Sequence, residues 1–378
     1  MMKPGLLYRL LKKYVYFGLK LFYRRYQVHG VENVPMHGPV IFAINHQNAF
    51  MDALLVAVSS RRNPWFITRA SIFSSSTARY WLGKLQMLPI YRFRDGHTNM
   101  KKNDEAMAHT IALLLKNETI LIFPEGNHDR HWALRPLQKG VARMAFEVEQ
   151  QTDFTSGLHI VPVGINYEDH LSSHSEVLLV FGKPISIQNY QSRYTEQPAK
   201  ATLRLMDELK VAMKAMMLHI NNIEQHDALA EAVKGRPKRE KDLFERLNND
   251  KIYLEQLEKA ETLPAPVQSR TKPNRISCLL AYILFVPSVL PHLPVILFIQ
   301  KLTKKVVKDD HWTASIKFAA FILLAPFIYL VEVAIVWLLG ANIFGILLFI
   351  GFLGLGGAYS QWFRGRFKRK KRRERQGD

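Results

Sequence analysis

Six short apolar runs, each ended by proline, glycine or a polar loop, mark residues 39 to 181 and restrict the folds open to this chain. They are Pro39–Ile44, Pro64–Thr68, Met87–Tyr91, Thr119–Phe123, His159–Ile165 and Val177–Phe181. Continuous apolar runs of ~4–8 residues suit strands covered on both faces, as in a parallel sheet. Helix-compatible stretches lie between them: one through Leu54, Leu55 and Val58, then Asn103–Leu115 and Lys139–Val148. The alternation predicts an α/β fold, a mostly parallel sheet with flanking helices, with its chemistry on the loops at strand ends.

The rest of the chain reads differently. Residues 1–27 mix leucines and aromatics with Arg9, Lys12, Lys13, Lys20, Arg24 and Arg25. That composition predicts a basic amphipathic helix on an anionic membrane surface, with a core-packing helix as the alternative. Residues 28–190 hold the sheet, and 191–268 form a polar, helix-prone spacer or lid, or else pack on the main domain. Three apolar stretches follow. The first, 276–299, carries Pro287, Pro291 and Pro294, which predicts a bent or re-entrant segment rather than a straight span. Residues 316–360 read as a transmembrane hairpin turned at Gly340-Ala341-Asn342, with Glu332 inside its first limb.

Charge sets the partner and the orientation. The net charge of +20 calls for an anionic partner, and apolar spans beside it favour lipid headgroups over nucleic acid. Lys301, Lys304, Lys305 and Lys308 precede the hairpin, and the polybasic tail at 364–378 follows it. Both ends of the hairpin are therefore expected on the cytoplasmic face of an inner membrane, with the catalytic domain on that side. The single cysteine, Cys278, lies in an apolar run, so neither an intramolecular disulfide nor a thiol nucleophile is expected.

Within the sheet region, His46 and Asp52 stand near the end of the first run. An imidazole becomes a general base toward a hydroxyl when a carboxylate fixes its tautomer. Six positions apart, the two meet only if His46 is on a loop and Asp52 on an early helical turn. Arg92 closes the third run and offers a planar donor fork to phosphate. Glu125 and Gly126 follow the fourth run, and Lys139, at the start of a helix, could receive phosphate with the helix amides. Each motif alone also has a bland reading as a strand exit or a solvated side chain.

Together, His46–Asp52, Pro89-Ile90-Tyr91-Arg92, Phe123-Pro124-Glu125-Gly126 and Ile160-Val161-Pro162-Val163 resemble the four-block signature of the glycerophospholipid acyltransferase superfamily. The resemblance covers roughly residues 28 to 187. It implies that His46 is the general base, Asp52 its orienting partner, Arg92 the grip on the acceptor phosphate, and Glu125, Gly126 and Pro162 substrate-binding residues. Lys139 is added on charge and position. Five residues separate His46 from Asp52, one more than in the commonest family form, and Asn127-His128-Asp129-Arg130 is similar to longer relatives. The implied reaction is transfer of an acyl group from coenzyme A or acyl carrier protein to 1-acylglycerol-3-phosphate. Glycerol 3-phosphate, another lysolipid or an aminolipid are alternative acceptors, and a non-catalytic lipid-binding scaffold is the alternative class. No phosphate-cradling glycine loop, zinc spacing or dinucleotide fingerprint occurs, so neither metal nor cofactor is implied beyond the thioester co-substrate.

Overall fold

A computed structural model describes residues 5–90, 100–236, 240–260, 275–307 and 312–374. In chain order the first part runs α1 (Leu6–Phe22), β1 (Arg25–His29), β2 (Val40–Ile44), α2 (Ala49–Ser59), β3 (Pro64–Arg69), α3 (Ser76–Lys84), β4 (Met87–Ile90) and α4 (Met100–Leu115). It continues through β5 (Thr119–Ile122), α5 (Gly140–Gln151), β6 (His159–Tyr167), β7 (Glu176–Phe181) and β8 (Ile185–Ser186). Helices complete it: α6 (Gln191–Glu196), α7 (Pro198–Ala215), α8 (His226–Lys234), α9 (Leu243–Lys259), α10 (Arg275–Val289), α11 (Leu293–Val306), α12 (Thr313–Leu338) and α13 (Ile343–Glu374).

One sheet, ordered β1-β7-β6-β2-β5-β3-β4 with β8 on β6, contains all six expected strands. β6, β2, β5, β3 and β4 run parallel, and β7 and β8 are antiparallel to β6. Every residue of β2 is buried, because the strand is central and helices cover both faces. Parallel strands with right-handed helical crossovers put their carboxyl ends on one edge. The loops after β2, β5, β3 and β4 therefore share that edge.

The chain divides into two units, Met1–Phe17, Tyr26–His170 and Val177–Val267 in one, Gly18–Arg25, Leu171–Glu176 and Gln268–Asp378 in the other. The helices at 191–260 belong to the sheet's own unit. Leu205, Leu209 and Met213 of α7, spaced four apart, lie in the core with α5 and the strands. Leu229 and Val233 of α8 and Leu247 and Leu254 of α9 close a second cluster over Leu178 and Val180 of β7. The described helices between 191 and 260 thus pack on the sheet through these apolar positions.

The expected membrane-surface helix ends earlier than its composition suggested. α1 stops at Phe22 and residues 25–29 enter the sheet as β1. Lys12 is turned inward, donating to the carbonyls of Ser60 and Arg62 and to Asn63 Oδ1, and burial lowers its pKa to about 8. Arg24 and Arg25 pair with buried Glu176. These three cations are committed to protein acceptors, and two of them face a carboxylate.

Among the described residues of the second unit, three helical stretches are long and apolar enough to cross a membrane: Ala281–Val306, Thr313–Leu338 and Ile343–Ser360. The first is interrupted by a 3-10 turn at Leu290–His292, where the prolines remove donors. Near its start, Ala281 accepts from Tyr359 Oη at 3.0 Å, and Phe285 stacks on Phe363. At the turn, His292 pairs with Tyr329 at 2.8 Å, and the missing Cβ of Gly356 lets Ser288 approach. α11 then packs along α12.

Candidate active site

Asn45 fixes the point where the chain leaves β2. Its side chain accepts from Ile165 N–H at 2.7 Å and donates to Ile165 C=O at 3.1 Å, clamping the loop to β6. The next amide, of His46, donates to Glu125 Oε1 at 2.8 Å. α2 then opens at Ala49 with φ of 39°, a left-handed corner unusual for a residue bearing a Cβ. That corner lets the first helical turn face back toward the loop.

Asp52 lies on that turn, fully buried. Its Oδ2 accepts from His46 Nδ1 at 2.9 Å and from the amides of Gln47 and Asn48 at 2.8 Å each. Tyr167 Oη donates to the other oxygen at 2.6 Å. A carboxylate is an acceptor only, so the imidazole donates its Nδ1–H and keeps its lone pair on Nε2. Nε2 makes no hydrogen bond among the described residues. The ring stacks on Phe123 at 3.8 Å, and the His128 ring meets it edge-on at 5.4 Å. This is the geometry of a general base held in one tautomer and one orientation.

Glu125 joins the loops after β2 and β5. Its second oxygen accepts from Arg135 N–H at 3.1 Å and Arg135 Nε at 3.3 Å. Burial raises its pKa above the ordinary carboxylate value, while the Arg135 and His46 amides and the Arg135 guanidinium oppose the rise. Both oxygens are thus committed to protein donors, and the side chain braces the His46 backbone. Asp129 N–H donates to His46 C=O at 2.9 Å, and Gln47 Nε2 to His131 C=O at 2.9 Å, so three segments converge on the imidazole.

The other candidates are placed less centrally. Gly126, with φ of 76°, closes a tight turn by donating to Phe123 C=O, a conformation natural to glycine. Lys139 is exposed just ahead of α5, brought near the turn by the bond from Gln138 N–H to Pro124 C=O. Pro162 is inside β6, buried against Gly182 and paired with Ala43. It sits where β6 changes partner from β8 to β7, so its missing N–H leaves no gap in either ladder. The structure does not bring Pro162 into the His46 cluster. Arg92 lies outside the described residues.

Sequence reasoning missed Tyr167, Asn45 and Arg135, and gave Phe123 no role of its own. A buried tyrosine on a strand needs a partner for its hydroxyl, which is the one hint that Tyr167 carried. The amides of His46, Gln47 and Asn48 are bonded to Glu125 and Asp52.

Residues 25–166 match the acyltransferase family model. The chain is 23% identical over 167 residues to a chloroplastic 1-acyl-sn-glycerol-3-phosphate acyltransferase of Brassica napus, covering 42% of this chain and 44% of that protein. An uncharacterized acyltransferase of Schizosaccharomyces pombe is 45% identical over 76 residues, 20% of this chain and 11% of the yeast protein. The chain thus spans less than half the length of these curated relatives. The crystal structure of a 1-acyl-sn-glycerophosphate acyltransferase from Thermotoga maritima aligns with 55% of this chain and 78% of its own, at 16% identity and a TM-score of 0.42.

Proposed function

We propose that this protein is a membrane-associated O-acyltransferase that moves a fatty-acyl group from a thioester to the free hydroxyl of 1-acylglycerol-3-phosphate. The observation carrying this reading is the His46–Asp52 pair, with Nδ1 bound to a buried carboxylate and Nε2 left as a base. The acceptor hydroxyl gives its proton to Nε2 as its oxygen bonds to the thioester carbonyl carbon. The tetrahedral adduct then expels the thiolate, which takes the proton back from the imidazolium. Products are ester and free thiol, with no acyl-enzyme and no metal in the scheme. Thioesters are activated donors, so positioning and proton removal supply much of the acceleration. Arg92 is assigned to the acceptor phosphate on the family resemblance, with Lys139 and the turn at Glu125–Gly126 beside the acceptor. The donor is acyl-coenzyme A or acyl carrier protein.

The second unit supports a bilayer location with α12 and α13 spanning. α10 starts beside the far part of α13 and reaches His292, and α11 then runs along α12. This course supports a re-entrant wedge. The cytoplasmic face follows from the lysines and arginines flanking the hairpin.

Purified full-length protein, a labelled acyl thioester and a panel of acceptors resolved by mass test the reading. Preferred transfer to 1-acylglycerol-3-phosphate supports it. Preference for glycerol 3-phosphate or a lyso-aminolipid moves the acceptor to the alternative, and no transfer from either donor overturns the enzyme in favour of a lipid-binding scaffold.

A further inference from the structure

α3 carries an arginine, a tyrosine, a tryptophan, a leucine and a lysine, yet none of its residues is buried. Ala78 and Leu82, four apart, are half-covered and form its inner face, while Arg79, Tyr80, Trp81 and Lys84 are exposed. Tyr80 and Trp81 are 60% and 53% exposed, in edge contact with each other, and Lys84 lies 5.5 Å from the Tyr80 ring. Exposed Ile72 and Ile90 and the exposed Arg69 come from the segments flanking this helix. Single exposed hydrophobics are ordinary, but a tyrosine–tryptophan pair set among cations and isoleucines is a patch.

The sequence around it has one sign of charge. No aspartate or glutamate occurs from Ala53 to Arg94, while Arg61, Arg62, Arg69, Arg79, Lys84, Arg92 and Arg94 all do. Of these, Arg62 is consumed internally by the carbonyls of Pro35, Gly38 and Asn117. Arg69, Arg79 and Lys84 remain exposed. Tryptophan and tyrosine settle at the headgroup level of a bilayer, and cations beside them meet anionic phosphates.

The two flanks of this patch reach the edge that carries His46, and α3 runs from that edge back toward the start of β4. β2, β5, β3 and β4 are parallel, so His46 after β2, Glu125 after β5, the 3-10 turn Ala70–Ile72 after β3 and Ile90 at the end of β4 share one edge. We infer that the α3 face, with Tyr80, Trp81, Arg79, Lys84, Ile72 and Arg69, docks on an anionic bilayer surface, a membrane contact of the sheet-bearing unit that is separate from the apolar helices. The contact does not depend on acyl transfer, so it can fail while the enzyme reading stands.

Gly83 supplies a probe site, since a Cβ added there meets nothing within 4 Å. The full chain carrying Cys278→Ser and Gly83→Cys is labelled with an environment-sensitive dye and reconstituted in vesicles with headgroup-depth quencher lipids. Ile252→Cys on α9, where Ile252 is 56% exposed, is the reference site. In vesicles containing phosphatidylglycerol the expected result is quenching at position 83 at least twofold stronger than at 252. Quenching should weaken when phosphatidylcholine replaces phosphatidylglycerol, when salt is raised, and in the Arg79→Glu, Lys84→Glu variant. Equal quenching at both sites, or none at 83, overturns the proposal. So does a position-83 signal that responds to an acidic acyl carrier protein and not to lipid, which makes the face a protein-docking site.

Discussion

The sheet-bearing unit contains His46–Asp52 and, a few residues away, a second cluster in which His131 meets Asp129 at 2.7 Å and His226 meets Asp227 at 3.0 Å. By distance alone the three pairs are equivalent. Their surroundings separate them. The Asp52 side chain is 0% exposed, against 34% for Asp129 and 99% for Asp227. Asp52 has four donors around it, two of them backbone amides that fix the carboxylate before the imidazole arrives. Among the described residues the Asp129 carboxylate takes its two hydrogen bonds from His131 itself. His226 is buried but accepts from Trp132 N–H through Nε2, so it has no lone pair to offer. A histidine–aspartate distance does not make a base; a carboxylate held by third parties and a free second nitrogen do.

The comparison breaks first at the carboxylates. Asp52→Asn should cut kcat/KM by about 10³-fold, because the amide no longer enforces the Nδ1–H tautomer, while Asp129→Asn should stay within about fivefold. Steady-state kinetics of the two purified variants, with circular dichroism as the folding check, decide this. Equal losses would erase the distinction.

Glu125→Gln comes next. Both carboxylate oxygens accept from protein donors, and the amide places N–H against N–H at one of them. A loss of about 10–100-fold in kcat is expected, with a smaller change in donor KM, since the substitution loosens the His46 loop. Tyr167→Phe removes a single donor from Asp52, at a cost of about 1 kcal/mol in stability. Denaturant unfolding should show that shift, with activity down only severalfold.

The smallest effect concerns pH. Burial lowers the pKa of His219 from 6.5 to about 4, and its Nδ1 accepts from Leu134 N–H. A histidine with a depressed folded pKa is protonated first in the unfolded chain. Its contribution is therefore fully present above pH 6.5 and is lost as pH falls toward 4. Thermal melts of the wild type should weaken across that window, and His219→Gln should flatten the slope.

The central strands were legible because strands covered on both faces read as unbroken apolar runs. His46 and Asp52 were legible as a pair only on the condition that a loop preceded an early helical turn, and Ala49 supplies that corner. β1, with Arg25, Gln27 and His29 alternating along an edge, carries no such run and was absorbed into the predicted helix. α3 was missed because it lacks a continuous apolar stripe. Tyr167 reaches Asp52 across 115 residues, a contact no local pattern encodes. The 191–268 helices looked like a spacer because their exposed faces are rich in charge, although the spacing of Leu205, Leu209 and Met213 already had the period of a buried face.

The central claim is that one imidazole of several near that loop is the base. Single-turnover acyl transfer from a labelled thioester, measured side by side for His46→Ala, His131→Ala and His226→Ala with folding checked in each, tests it most directly. A loss of about 10³-fold or more in His46→Ala, with the other two within about tenfold of wild type, is the predicted result. Retained transfer in His46→Ala, or an equal loss in His131→Ala, would contradict it.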